Sequence, residues 1–149
     1  MTQPLEIEAP AFTEERYGVI VRAIEKRLEA TYPGRFDYPH FFRTWREIMA
    51  LGIARTWEAP GALLGVTFTQ NIFTGDFNAN VVFWWATEEG RKGGGTLALL
   101  KAAEAAAREH NCRLFSSAAY GEMDSDLMEK LYKRKGYTKS ETIFRKEIK

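Results

Sequence analysis

The segment EEGRKGGGTLALLKAAEAAARE, Glu88 to Glu109, places three consecutive glycines directly before an alanine-rich stretch. The segment NVVFWWAT, Asn80 to Thr87, comes just before it and is largely apolar, which predicts a buried central strand. The apolar spacing after Gly95 predicts a helix that ends at His110. A strand, a glycine turn and a helix in this order favour phosphate binding, because the amides of a first helical turn attract anions.

Three interpretations of Gly93-Gly94-Gly95 are open from these residues alone. The first is a tight structural turn, although glycine costs roughly 0.5–1 kcal/mol where no special geometry requires it. The second is a dinucleotide-binding turn, since Gly93 to Ala98 formally matches G-x-G-x-x-G/A. That motif needs an acidic residue at the end of the next strand, where this sequence has Ser116-Ser117-Ala118-Ala119. The third is a turn that holds the pyrophosphate of an acyl-CoA.

The third interpretation is supported by a family resemblance. Arg91-Lys92-Gly93-Gly94-Gly95-Thr96 resembles the R/Q-x-x-G-x-G/A motif of the GCN5-related N-acetyltransferases. Leu127 to Ile148, LMEKLYKRKGYTKSETIFRKEI, resembles the family's late LYEKxGF signature and closing strand. Gly65 sits where such proteins often carry a strand glycine. These segments cover most of the chain, which looks most similar to the small members met in phages and prophages.

The predicted fold is α/β of the α+β type. A mixed, mostly antiparallel central sheet is flanked by about four helices and contains a splayed parallel strand pair. Residues 1–149 are expected to form a single acyltransferase domain. Periodicity and turn signals predict these elements in order: a helix from Thr13 to Thr31, a helix from Tyr38 to Leu51, strands Ile53–Glu58, Ala62–Thr69, Asn80–Thr87 and Cys112–Ala119, a helix ending at Lys135, and terminal strands Tyr137–Lys139 and Thr142–Ile148.

The resemblance implies a set of residues for acetyl-CoA, the co-substrate. The pyrophosphate would lie on the backbone amides from Lys92 to Leu97, with positive charge from Arg91 and Lys92. The pantetheine arm would run beside the end of the third predicted strand, where an amide near Ala86 would polarise the thioester carbonyl. The implied cofactor-binding residues are Trp84, Trp85, Ala86, Arg91, Lys92, Gly93, Gly94, Gly95, Thr96, Leu97 and Ser125.

The same resemblance implies that Tyr132 is the general acid, because a phenol is protonated at neutral pH and can give its proton to a thiolate. The alternative is that Tyr132 is one more packed residue on an amphipathic helix. No general base is identified, because Asn80 stands where protein-acetylating members carry a glutamate. Possible substitutes are Asp76, Glu88, Glu122, Asp124 and His40.

The sequence departs from the family pattern at three positions. Thr96 replaces a Gly or Ala, so its side chain either crowds the phosphate or adds a hydrogen bond to it. Glu88 stands where a proline often precedes the motif. Ser125 replaces an asparagine that often contacts the cofactor arm.

The acceptor amine would lie beside the first two helices. The segment TYPGRFDYPHFF supplies aromatic residues that either line an acceptor pocket, pack the helices onto the sheet or form a homodimer contact: Tyr32, Phe36, Tyr38, Phe41 and Phe42. The expected activity is N-acetyl transfer from acetyl-CoA to a small-molecule or peptide amine. The alternative is an accessory protein that binds acyl-CoA without turnover.

Composition limits other functions. The net charge of +1 gives no strong attraction for nucleic acid or acidic membranes. One cysteine, Cys112, excludes an internal disulfide and is expected to be a small packed residue. Together with two histidines it offers no zinc-ligand spacing, so no metal is expected. The N-terminal residues do not resemble a signal peptide, and the apolar stretches are too short to span a bilayer, so the expected location is the cytoplasm.

Overall fold

The structure, a computed structural model, describes residues 3–26, 28, 34, 36–118 and 125–148. It forms two compact units, residues 1–118 and 119–149. The first unit contains strand β1 (Leu5–Ile7), a 3₁₀ turn (Ala9–Ala11), helices α1 (Glu14–Ala23) and α2 (Tyr38–Ala50), strands β2 (Ala54–Ala59), β3 (Ala62–Gln70) and β4 (Phe77–Ala86), helices α3 (Glu88–Lys92) and α4 (Gly95–Glu109), and strand β5 (Leu114–Ser116). The second unit contains helix α5 (Ser125–Arg134).

The five described strands form one mixed sheet in the order β1-β2-β3-β4-β5. The first three pairings are antiparallel, and only β4 and β5 are parallel. Helix α4 crosses between β4 and β5, as a parallel connection requires. The predicted mixed, mostly antiparallel sheet with one parallel pair is confirmed.

Local signals explain most element boundaries. The Thr13 hydroxyl accepts a hydrogen bond from the Arg16 amide at 3.2 Å and starts α1, as predicted. The Asp37 carboxylate accepts from the His40 amide at 3.0 Å and starts α2. Gly61 has φ +71° in the turn between β2 and β3, as a type II turn demands. Helical hydrogen bonding continues after α1 as far as Leu28, whose amide donates to the Ile24 carbonyl at 3.2 Å. The predicted end near Thr31 lies outside the described residues.

Helices α1 and α2 pack on one face of the sheet around a largely aromatic core. Phe12, Phe42 and Trp45 are buried there together with Phe83 of β4. Gly65 of β3 gives these rings their space, because a Cβ at this position would lie 2.4 Å from the Phe83 ring and 2.6 Å from Trp45. The indole of Trp45 also donates to the buried Thr56 hydroxyl at 2.7 Å.

The predictions were wrong at several element boundaries. Strand β1 was missed, because it has only three residues and just one of them, Ile7, is buried, so it carries almost no alternating pattern. Helix α3 is not among the predicted elements. The residues described between Tyr137 and Ile148 form no strand, and Phe144 is 92% exposed. Ile143 and Ile148, which lie in the second of these predicted strands, are exposed as well.

Tyr17 of α1 and Glu58 of β2 are joined by a hydrogen bond. Tyr17 is 3% exposed, and its hydroxyl donates to the Glu58 carboxylate. Burial, followed by this bond and by the negative charge of Glu58, raises the pKa of Tyr17 to about 12. A raised folded-state pKa means that the neutral phenol stabilises the fold below the unfolded value of 10.0, and that this stabilisation is lost as pH rises through 12.

We therefore expect Tyr17→Phe to remove part of the alkaline destabilisation of the protein. The wild-type free energy of unfolding should lose about 2–3 kcal/mol more than that of the variant as pH rises from neutral toward 12. Urea unfolding at several alkaline pH values measures this difference. Glu58→Gln, which replaces the carboxylate by a neutral acceptor, should remove part of the same alkaline destabilisation. If the free energy of unfolding falls equally with pH in the wild type and in Tyr17→Phe, Tyr17 does not titrate with a raised pKa.

Candidate functional site

The glycine run forms a sharp turn between α3 and α4. Gly94 precedes the first residue of α4 with φ +73°, a left-handed conformation that favours glycine. No side chain caps the helix, so the amides of its first turn have no side-chain acceptor. A Cβ added at Gly94 would meet nothing within 4 Å. The amino end of this 15-residue helix is therefore open to a ligand.

The three positions differ in why they require glycine. Gly94 is required by its backbone conformation. Gly95 is required by packing, because its Cβ would lie 2.9 Å from the Cβ of Ala59 on β2. Gly93 has φ −83°, and a Cβ there would meet only backbone oxygens at 3.9 Å, so neither reason applies to it. Packing therefore explains only Gly95. It does not explain why the space in front of Gly94 is open.

The turn between α3 and α4 is supported by a close approach of α3 to the turn between β2 and β3. A Cβ on Gly90 of α3 would lie 2.3 Å from the Gly61 carbonyl oxygen, so α3 rests directly on the turn between β2 and β3. Thr87 caps α3 by accepting from the Gly90 amide at 3.1 Å, and its own amide donates to Gly61 at 2.8 Å. The Thr96 hydroxyl donates to the Gly90 carbonyl at 3.1 Å and links α4 to α3.

The support from Thr87 and Gly90 was not predicted, although a signal for Thr87 was present. Thr87 followed by Glu88 and Glu89 is a typical helix start, with a capping hydroxyl and acids in the first turn. The structure also gives Thr96 a role that differs from both sequence alternatives. Its hydroxyl bonds within the protein, and so it braces the turn.

The basic residues of the motif are exposed. Arg91 and Lys92 form the last turn of α3, and the Lys92 ammonium lies 3.8 Å from the Glu88 carboxylate. This is a long, fully solvated contact that contributes little to stability. Both cations are thus accessible beside the open end of α4.

Strands β4 and β5 part near the middle of β4. They pair from Asn78 to Asn80, opposite Leu114 to Ser116, and the Arg113 amide donates to the Phe77 carbonyl at 2.8 Å. Strand β5 ends at Ser116, so its pairing stops before the second half of β4. An irregularity in the pairing with β3 leaves Val82 as an extra residue, since Gly65 faces Phe83 and Val66 faces Val81. The predicted splayed parallel pair is confirmed.

The end of β4 presents an amide at this open edge. The Thr87 amide points toward Gly61 and the β3 side. Because successive amides of a strand point to opposite edges, the Ala86 amide points to the edge from which β5 has departed. Trp85 packs on the aromatic core, with its ring 4.6 Å from Phe83, whereas Trp84 lies on the opposite face of the strand.

A cavity of about 420 Å³ lies between the end of α1 and the end of β4. Its lining residues are Arg22, Ala23, Ile24, Glu25, Lys26, Ala86, Thr87 and Glu88. Arg22 is held on both sides, by Glu14 at 2.9 Å and by the Tyr38 ring at 4.3 Å. The Tyr38 hydroxyl donates to the Glu25 carboxylate at 3.3 Å. Glu25 was not predicted, because only the fold brings α1 beside the end of β4.

The aromatic residues predicted near the acceptor are largely packed. Phe42 is buried in the core, and Phe36 and Phe41 pack against its edge beside Trp85. Tyr38 reaches the cavity indirectly, through its bond to Glu25. Tyr32 lies outside the described residues.

The candidate bases are scattered. Asp76 pairs with Arg113 at 3.1 Å and lies at the start of β4, far along the strand from Ala86. His40 is exposed in the first turn of α2. The Asn80 amide donates to the Thr69 hydroxyl at 3.0 Å. Only Glu88 lines the cavity, while Glu122 and Asp124 lie outside the described residues.

The second unit contains the remaining predicted residues. Ser125 is the first residue of α5. Tyr132 is buried on the same helix, and its carbonyl accepts from the Tyr137 amide at 2.9 Å. Its ring also contacts that of Tyr137, with centroids 5.3 Å apart.

The described part of the chain contains no cluster of three or more His, Cys, Asp or Glu side chains that could hold a metal ion. None of its helices combines the length and the apolar character needed to cross a bilayer.

No protein-family model matches the sequence, and no curated protein is significantly similar to it. Solved structures do match. A predicted acetyltransferase with acetyl-CoA from Clostridium acetobutylicum is 14% identical, with a TM-score of 0.71 over 99% of this chain and 96% of that one. A GCN5-related N-acetyltransferase from Ralstonia eutropha is 18% identical, with a TM-score of 0.69 over 99% of each chain.

An aminoglycoside acetyltransferase from an uncultured soil metagenomic sample, in complex with sisomicin, is 11% identical. Its TM-score is 0.73, over 99% of this chain and 97% of that one. The similarity spans the whole chain in each of these comparisons. The protein therefore has the fold of the GCN5-related N-acetyltransferases.

Proposed function

We propose that the protein is an acyl-CoA-dependent N-acetyltransferase that transfers the acetyl group of acetyl-CoA to an amine. One observation carries the proposal: the amino end of α4 has no capping side chain and has open space before Gly94. A helix N-terminus binds a pyrophosphate, and an unpaired strand edge binds the amide groups of a pantetheine arm.

The residues present fit such a ligand. The amides from Gly94 to Leu97 would hold the pyrophosphate, and the accessible side chains of Arg91 and Lys92 would add positive charge. Thr96, which braces the turn, leaves the approach to Gly94 open. Of the predicted set, Lys92 is the last residue of α3, so its backbone amide is bonded within that helix and its side chain is the group to consider.

The end of β4 would position the acetyl group. The Ala86 amide, directed to the open edge, would donate a hydrogen bond to the thioester oxygen and stabilise the negative charge that develops there. The neutral amine nitrogen would attack the carbonyl carbon, the carbon–sulfur bond would break, the thiolate would take a proton, and the nitrogen would release one proton to water. We propose Tyr132 as the donor of that proton, on the strength of the sequence resemblance, and Ser125 as a contact to the cofactor arm.

Calorimetric titration with acetyl-CoA and measurement of free thiol release with a panel of amines test this function together. Saturable binding and amine-dependent release of CoA are the expected results. Binding without release for any amine would favour the alternative of a non-catalytic acyl-CoA-binding protein, which the amide at Asn80 supports. Absence of binding would contradict both.

A further inference from the structure

The cavity beside Ala86 contains charged groups that the fold does not use. Arg22 is already paired with Glu14 and stacked on Tyr38, so part of its hydrogen-bonding capacity is in use. Glu25 accepts one hydrogen bond from a neutral phenol and forms no ion pair with the described residues. A carboxylate has about four acceptor positions, so most of its capacity remains.

Lys26 provides the opposite charge. It lines the same cavity and has no hydrogen-bond or ion-pair partner in the described parts of the chain. Neighbouring residues on a helix do not face each other, so Glu25 and Lys26 do not neutralise one another as an i, i+4 pair would. The cavity therefore offers one anionic and one cationic group at separate points.

The cavity also lies where an acceptor would have to bind. It is bounded by Ala86, Thr87 and Glu88, the segment whose first amide we assign to the thioester carbonyl. An acceptor held there would have its amine close to the acetyl carbon. Glu88 is a poorer partner for that amine, because its side chain is 87% exposed and already lies 3.8 Å from Lys92.

We propose that the acceptor is a primary amine that also carries a carboxylate or phosphate. Glu25 binds its ammonium, which gives one proton to water before the neutral amine attacks the thioester. Tyr38 orients Glu25, and Lys26 binds the anionic group. This assignment rests on the proposed acetyltransferase function and specifies its substrate class. Glu25 and Lys26 are thus specificity-determining residues, and Tyr38 is a positioning residue.

The test uses matched acceptor pairs that differ only in the anionic group: L-lysine against cadaverine, and O-phosphoethanolamine against ethanolamine. In the full-length protein, kcat/KM should be about 10-fold or more higher for the anionic member of a pair. Lys26→Gln should remove most of that preference by raising KM for the anionic member, while kcat and the values for cadaverine and ethanolamine change little.

Glu25→Gln should raise KM for all four amines by about 10-fold or more, because each presents an ammonium. Tyr38→Phe should raise it less, and the control Glu15→Gln, on an exposed part of α1, should leave it unchanged. Acetyl-CoA binding, measured by calorimetry, should be normal in every variant. The inference would be overturned by equal kcat/KM for both members of each pair or by no reaction with any of the four amines. It would also be overturned if Lys26→Gln kept the wild-type preference for the anionic member. Loss of acetyl-CoA binding in the parent protein would instead refute the proposed function.

Discussion

Replacing Tyr132 with phenylalanine is expected to lower kcat for acetyl transfer by about 10²–10⁴-fold while acetyl-CoA affinity stays nearly constant. The substitution keeps the ring and removes the one proton that the phenol can donate. If that proton goes to the CoA thiolate as the carbon–sulfur bond breaks, the loss falls on the chemical step. Turnover of the best amine in the panel, with calorimetry on acetyl-CoA, separates the two quantities.

The alternative explanation is structural, and the environment of Tyr132 allows it to be tested. The residue is 8% exposed, and its ring contacts Tyr137. Loss of a hydroxyl bond would cost about 0.5–1.5 kcal/mol of stability, which thermal unfolding detects. Tyr137→Phe is the matched control, since it removes a hydroxyl from the neighbouring ring and should leave kcat unchanged. A normal kcat in Tyr132→Phe, with chemistry rate-limiting, would reject its role as the acid.

Sequence reasoning succeeded where a local cause determines a local structure. Thr13 starts a helix, as predicted, because its hydroxyl accepts from the Arg16 amide. The largely apolar stretch from Asn80 to Thr87 also predicted an interior strand with a helical crossover after it, and β4 lies between β3 and β5. These features depend on residues that are close in the chain, so their pattern is visible without the fold.

Features that depend on distant residues were not predictable from one sequence. Gly90 is needed because the carbonyl of Gly61 approaches it from another turn, and nothing near Gly90 in the chain indicates this contact. Gly65 is needed because Phe83 and Trp45 occupy its side-chain volume. The charged cavity could not be predicted for the same reason, since Glu25 and Ala86 are brought together only by tertiary packing.

The second large effect is expected for substitutions of Gly94 in the glycine turn, and it falls on acetyl-CoA affinity. Gly94→Asp should weaken acetyl-CoA binding much more than Gly94→Asn. Aspartate and asparagine are similar in size, and both tolerate positive φ better than other residues with side chains, so strain and bulk are matched. They differ by one negative charge placed in the open space before α4. At about 5 Å from a phosphate, that charge costs about 1–3 kcal/mol at effective dielectric constants between those of water and a protein surface, or about 5- to 150-fold in Kd.

Two measurements make this comparison specific to the turn. Raising the salt concentration should narrow the gap between the two variants, because the added charge is solvent-exposed and is screened. Gly75, with φ +77° in the loop before β4, provides a control with the same backbone constraint at the other end of that strand. Gly75→Asp should bind acetyl-CoA like the parent protein. Equal affinities for Gly94→Asp and Gly94→Asn at low salt would mean that no phosphate lies at the amino end of α4, and the site assigned to the pyrophosphate would then be wrong.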